Sequence, residues 1–174
     1  MRKKLLIGFL AVAGCWTAGA LEDSREVILN GGFAEIVDVA EKDKAHIQSV
    51  QFPKHWNVYG GRLVTENNRN RIELSDYLYT LLRIPQSETP TRLKGEITVS
   101  GEGKLKIYLS GCIRKPGDKR GFGNELKPVL GEFVLSEKAA VFPFEYEAEP
   151  YSQYYLEFKQ TGGKALIEKI SFRK

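Results

Sequence analysis

Cysteine is scarce in this sequence: Cys15 and Cys112 are the only two. Cys15 lies in the N-terminal apolar segment, so Cys112 has no partner there and a disulfide framework is excluded. Histidine is equally scarce, with His46 and His55 alone. No His/Cys spacing of a zinc site occurs, and neither a phosphate-binding glycine loop nor a nucleophile elbow. No apolar run reaches the length of a membrane-spanning helix. No internal repeat, low-complexity tract or linker divides the chain. Net charge is small as well. The chain has 26 basic and 22 acidic residues, but Arg2, Lys3 and Lys4 belong to the leader described next. Without them the balance is 23 to 22, too even to attract nucleic acid, and no nucleic-acid partner is expected.

Residues 1–20 have the order of an export signal: a positive start at Arg2–Lys4, an apolar stretch from Leu5 to Gly14, and small residues at Ala18–Ala20. Residues 21–174 are then the exported chain, a single domain with room for a core. A second reading of the leader stays open. Val12–Cys15 has the form of a bacterial lipobox, in which Cys15 is lipidated and becomes the first residue. That anchor is the only membrane association expected, and the protein would be secreted, periplasmic or envelope-anchored.

What the chain does contain is short alternating segments. Leu105, Ile107 and Leu109 alternate with Lys104, Lys106 and Tyr108, and Tyr154, Leu156 and Phe158 alternate with Tyr155, Glu157 and Lys159. Ile97 and Val99 alternate with Glu96 and Thr98. Period two with one apolar face marks half-buried antiparallel strands. Such segments are read at 25–29, 62–65, 71–74, 77–84, 92–100, 104–113, 129–135, 139–147, 153–160 and 164–172. Turn residues bound them, among them Asn67 and Asn68, Gly101 and Gly103, and Gly162 and Gly163. Ile36, Val39 and Ala40 have helical spacing, and a turn or two of helix is read there. Nine or ten strands without a long helix predict an all-β sandwich.

Two motifs organise the N-terminal part. LNGGF at 29–33, with Glu35, is a turn followed by an aromatic plug, the glycines supplying positive φ. FPKHW at 52–56 is an extended approach to Trp56. Together they resemble the opening of carbohydrate-binding modules of families 4, 9 and 22, with N-G-x-F-E followed by a Trp element. GEFVL at 131–135, FPF at 142–144, YYLEF at 154–158 and ALIEKISF at 165–172 resemble that group's later strands. The resemblance spans residues 27–173. It implies an all-β, galactose-binding-like jelly roll of about eight to ten antiparallel strands, non-catalytic binding of a polysaccharide or oligosaccharide, and often one structural Ca2+. Two departures stand out. Ala34 occupies the motif's acid position, with Glu35 one residue later, and Glu168-Lys169 replaces a pair of aspartates. Calcium takes oxygen ligands, and Glu35 and Glu168 are the two candidates. Ordinary strand-edge carboxylates are the alternative.

Sugar recognition needs an apolar ring face for the C–H side of a pyranose and planar polar groups for its hydroxyls. Tyr77 and Tyr79 share one face of a strand, and Tyr108 stands opposite an apolar face on another. Joined in one concave sheet face they would make a platform, with Arg71, Glu73 and Arg83 at its edges. Packing under the 114–128 loop is the competing role. Trp56 is read either as a ligand contact or as core. The basic loop 113–127, with Phe122, is read first as a solvated charge run. Two other functional classes stay open: an envelope assembly module that contacts protein, and a small glycoside-active enzyme, which needs two facing carboxylates.

Overall fold

The computed structural model describes residues 26–41, 47–84, 87–113 and 125–174. The leader with Cys15, His46 and residues 114–124 of the basic loop lie outside these. The described residues form eleven strands: β1 (Ile36–Asp38), β2 (Gln51–Pro53), β3 (Asn57–Glu66), β4 (Arg69–Leu81), β5 (Thr91–Gly101), β6 (Lys104–Ile113), β7 (Glu125–Leu126), β8 (Val129–Val134), β9 (Ala140–Ala148), β10 (Ser152–Thr161) and β11 (Ala165–Arg173).

β4 carries the architecture. Its C-terminal half, Tyr77–Leu81, pairs with β10, and its N-terminal half, Ile72–Leu74, pairs with β11. From β10 the sheet continues to β6 and then to β7 and β8; from β11 it continues to β5 and β9. β3 runs beside β4 along both halves. The two wings face each other across one core. Leu78, Leu105, Ile107, Leu109, Leu156 and Phe158 come from the first; Leu93, Ile97, Val99, Phe144, Ile170 and Phe172 come from the second. Ring contacts bridge the layers. Phe133 of β8 stacks on Phe142 of β9 at 4.5 Å, and the Tyr146 and Tyr154 hydroxyls lie 3.2 Å apart. This is the expected β-sandwich, and the alternation in β6 and β10 sets which side of each strand is core.

Several expectations are corrected. The strand read at 25–29 is reduced, among its described residues, to an isolated bridge from Glu26 to Arg173. Segments 71–74 and 77–84 are not separate strands. Between Leu74 and Tyr77, β4 carries an extra residue opposite Gly60 of β3, a bulge that bends the strand without ending it. Gly60 has φ 65°, and its carbonyl accepts the Ser75 hydroxyl at 2.5 Å. β3 also starts earlier than read, at Asn57. Finally, Ile36–Asp38 is not helical. It pairs antiparallel with Gln51–Pro53, and Val39 N–H donates to the Val50 carbonyl at 2.8 Å. β-branched Ile36 and Val37 suit an extended backbone better than a helical one, and pairing with β2 overrides the spacing.

The NGGF turn closes differently from the expectation. The residues with positive φ are Asn30 (55°) and Phe33 (56°), not its glycines. Gly31 is needed for close approach instead. A Cβ there would strike the Ile170 carbonyl oxygen, and Ile170 N–H donates to the Gly31 carbonyl at 2.9 Å. Asn30 knots the turn to the second motif. Its Nδ2 donates to the carbonyls of Glu35 and Lys54, and its Oδ1 accepts Glu35 N–H. Phe33 is fully buried against Trp56, with ring centroids 5.6 Å apart.

Candidate functional site

The first wing turns a broad face outward. Because Leu78, Thr80, Leu156, Phe158, Leu105 and Ile107 point to the core, their neighbours point the other way. The registers of β3, β4, β10 and β6 then arrange these neighbours in rows. One row is Asn57, Tyr79, Glu157 and Tyr108; the next is Tyr59, Tyr77, Lys159 and Lys106. Leu81, Tyr155 and Ser110 form a third.

Five tyrosines on this face make a continuous aromatic surface. Tyr77 lies 5.5 Å from Tyr79 and 6.3 Å from Tyr108, centroid to centroid. Tyr59 lies 6.2 Å from Tyr77 and is nearly parallel to Tyr79, at 6.4 Å and 14°. Tyr155 meets Tyr79 edge-on at 6.0 Å. Tyr59 and Tyr155 are each 41 % exposed, and Tyr77, Tyr79 and Tyr108 are half-buried. The structure thus brings together Tyr77, Tyr79 and Tyr108 and adds Tyr59 and Tyr155.

Glu157 sits among them. It has outward phase, yet it is only 7 % exposed, because its cross-strand neighbours are Tyr79 and Tyr108. Ser110 Oγ donates to its carboxylate. The hydroxyls of Tyr77 and Tyr108 are within hydrogen-bonding reach of it. Burial, and then the neighbouring carboxylate and Tyr108, push the Tyr77 phenol far above its usual range. Burial raises Tyr108 too, and Glu157 adds to the rise while Tyr77 offsets part of it. A buried, hydrogen-bonded carboxylate fixes ring orientation, since each hydroxyl it engages has one preferred direction.

A groove of about 200 Å³ borders the row on the β3 side, lined by Val37, Asp38, His55, Asn57, Tyr59 and Tyr79 among others. A larger one of about 760 Å³ borders it on the β6 side, between Tyr77, Tyr108, Glu157 and three lysines. Lys159 is ion-paired with Asp76.

The remaining candidates lie elsewhere. Arg71 and Glu73 are on the outward side of β4 but in its N-terminal half. Glu73 is four residues, about 13 Å, from Tyr77. Glu73 is held by Arg62 at 3.0 Å and Lys164 at 2.9 Å; Lys164 lowers its pKa most, burial opposes it, and Arg62 adds to the lowering. Arg71 reaches Glu66 at 3.2 Å and Glu168 at 3.6 Å. Neither borders the tyrosines, because the bulge separates them from the platform half of the strand. Arg83 is exposed two residues beyond β4, past Leu81, with its N–H donating to the Val27 carbonyl. Of the two readings of Trp56, the core one holds. It is 5 % exposed, its Nε1 donates to the Asn30 carbonyl at 3.1 Å, and its ring lies between Phe33 and Phe158. Its ring is spent on packing, and only the small part left exposed contributes to the lining of the β3-side groove.

Glu35 and Glu168, the two candidate calcium ligands, each meet a cationic side chain. Glu35 is exposed and paired with Lys54 at 3.2 Å. Glu168 lines a groove together with Arg69, Arg71 and Lys169, where positive charge opposes a dication. Among the described residues no group of three or more His, Cys, Asp or Glu is placed to hold a metal.

With this geometry in place, the chain is similar to the CBM22-1–GH10 modules of Clostridium thermocellum endo-1,4-beta-D-xylanase 10B, solved with xylohexaose. The TM-score is 0.51 at 10 % identity, over 86 % of this chain and 28 % of that one. The fold is a β-sandwich jelly roll of the kind carbohydrate-binding modules have. The same jelly roll matches the enzymatically active domain of bacteriophage CBA120 tailspike protein 4, with a TM-score of 0.53 and 8 % identity, over 85 % of this chain and 21 % of that one. The CBM22-1 xylan-binding domain of Paenibacillus barcinonensis Xyn10C aligns at 0.49 and 12 %, over 69 % and 85 %. This chain spans well under a third of the xylanase and tailspike chains. No protein-family model and no curated protein matches the sequence. At these identities the jelly roll is what is shared.

Proposed function

We propose that this domain binds a polysaccharide or oligosaccharide along the tyrosine face of β3, β4, β10 and β6, without catalysing a reaction on it. The observation that carries the reading is the five-ring surface running from Tyr155 through Tyr79, Tyr59 and Tyr77 to Tyr108. Four neighbouring strands span about 14 Å, so the face suits several sugar rings. Flat rings with polar tips match a pyranose, whose C–H face is apolar and whose rim is polar. Asn57 and Ser110 supply hydrogen-bonding groups beside the rings.

Support for a non-catalytic role comes from the carboxylates of the face. Asp76 is ion-paired with Lys159, and Glu157 is buried among hydroxyls. A glycosidase needs one carboxyl to protonate the leaving oxygen and another to attack or activate water. The order of residues 1–20 supports export, with Cys15 as the site of a lipid anchor if the leader is a lipobox. A tethered module with a shallow site gains avidity on a repeating polymer.

The test is a glycan array with an insoluble-polysaccharide pull-down on residues 21–174, beside a Tyr77→Ala/Tyr79→Ala variant. Retention by the parent and loss by the folded variant is the expected result. Equal retention by both would remove the tyrosine face from the site.

A further inference from the structure

The groove on the β6 side of the rings is lined by Lys106, Lys127 and Lys159 as well as Tyr77 and Tyr108. Lys106 and Lys159 are direct partners in the β6–β10 register. Like charges placed opposite each other on neighbouring strands are destabilising. The surrounding carboxylates relieve this only in part. Asp76 pairs with Lys159. Glu132, the partner of Lys106 on the β8 side, reaches Lys104 instead, at 3.4 Å. Glu157, also in the groove, is buried and bonded to Ser110. No described carboxylate forms an ion pair with Lys106. Cations facing one another beside an aromatic surface cost the free protein stability, and a bound anion removes that cost.

We propose that the glycan is anionic: its sugars carry carboxylate or sulfate groups, one of which sits between Lys106 and Lys159 while a ring face lies on Tyr77. This rests on the tyrosine face being the glycan site. A charge-assisted hydrogen bond from each ammonium would supply selectivity that stacking alone lacks.

The experiment uses matched polymers. Polygalacturonate is compared with its methyl-esterified form, and heparin with desulfated heparin, which separates carboxylate from sulfate; xylan serves as a neutral control. Binding is measured at 50 and 500 mM NaCl for the parent, Lys106→Gln, Lys106→Arg, Tyr77→Ala/Tyr79→Ala and, on the opposite wing, Lys94→Gln. Thermal unfolding verifies that each variant is folded. The expected result is binding about tenfold or more tighter to polygalacturonate than to its methyl ester, or to heparin than to desulfated heparin, weakened by salt. Lys106→Gln should lower that affinity roughly three- to tenfold, Lys106→Arg should retain it, and Lys94→Gln should leave it unchanged. Equal binding within both matched pairs, or equal losses in Lys106→Gln and Lys94→Gln, would overturn the anionic assignment. Loss of binding in the tyrosine variant would then leave the tyrosine face standing. Absence of binding to every polymer, or binding that survives the tyrosine variant, would overturn both.

Discussion

The buried carboxylate of Glu157 on β10 accepts the hydroxyl of Ser110 on β6, so the centre of the aromatic face is tied across two strands. Removing that acceptor strands Ser110 and frees the Tyr77 and Tyr108 hydroxyls. Glu157→Ala should therefore cost about 1–3 kcal/mol, and Glu157→Gln, which keeps an acceptor, should cost less. Urea unfolding of the two variants checks the order.

Tyr77 and Tyr108 are held above the usual phenol range chiefly by burial, and so is Tyr146, whose hydroxyl faces Tyr154. A group whose folded pKa exceeds its unfolded value binds more protons when folded, so stability falls as pH rises past the unfolded value, about 10 for tyrosine. The urea midpoint should hold steady from pH 7 to 9 and drop beyond about pH 10. Tyr77→Phe should make the drop shallower. A midpoint flat to pH 11.5 would contradict the burial of these phenols.

Trp56 holds the NGGF turn to the core through Asn30 and Phe33. Trp56→Ala should cost about 3–5 kcal/mol. Trp56→Phe should be milder and should leave glycan affinity unchanged. A Trp56→Phe protein that is stable but does not bind would return Trp56 to the site.

Arg71 and Glu73 are engaged in ion pairs on the far half of β4. Arg71→Ala and Glu73→Ala should each change stability by about 1 kcal/mol or less, the scale of partly exposed pairs. Neither should change binding in the pull-down.

The two faces of β6 and β10 were legible in the sequence because side-chain alternation is a property of the backbone itself. Tyr77, Tyr79 and Tyr108 could be assigned a common orientation for the same reason. Strand order was not legible. Glu157 stands between Tyr79 and Tyr108 only because β10 lies between β4 and β6, pairings that join residues nearly 80 and 50 positions apart. Tyr59 had a local signal, since Val58 is core and its neighbour must face outward, but the glycines after it read as a strand end. Ser75 and Asp76 misled in the same way. Two polar residues look like a turn, whereas here they form a bulge that lets one strand serve both wings. Arg71 and Glu73 were placed beside the rings for want of that bend.

The central claim is that sugar rings seat on the tyrosines. The most direct measurement is an NMR titration of the folded domain with an oligosaccharide from the best-binding polymer, following the tyrosine ring signals and the sugar C–H protons together. The account predicts ring-current shifts of the sugar protons and perturbation centred on Tyr59, Tyr77, Tyr79 and Tyr108. Perturbation confined to the β5–β9–β11 wing, around Arg92, Lys94 and Arg173, with the tyrosine signals unmoved, would contradict it.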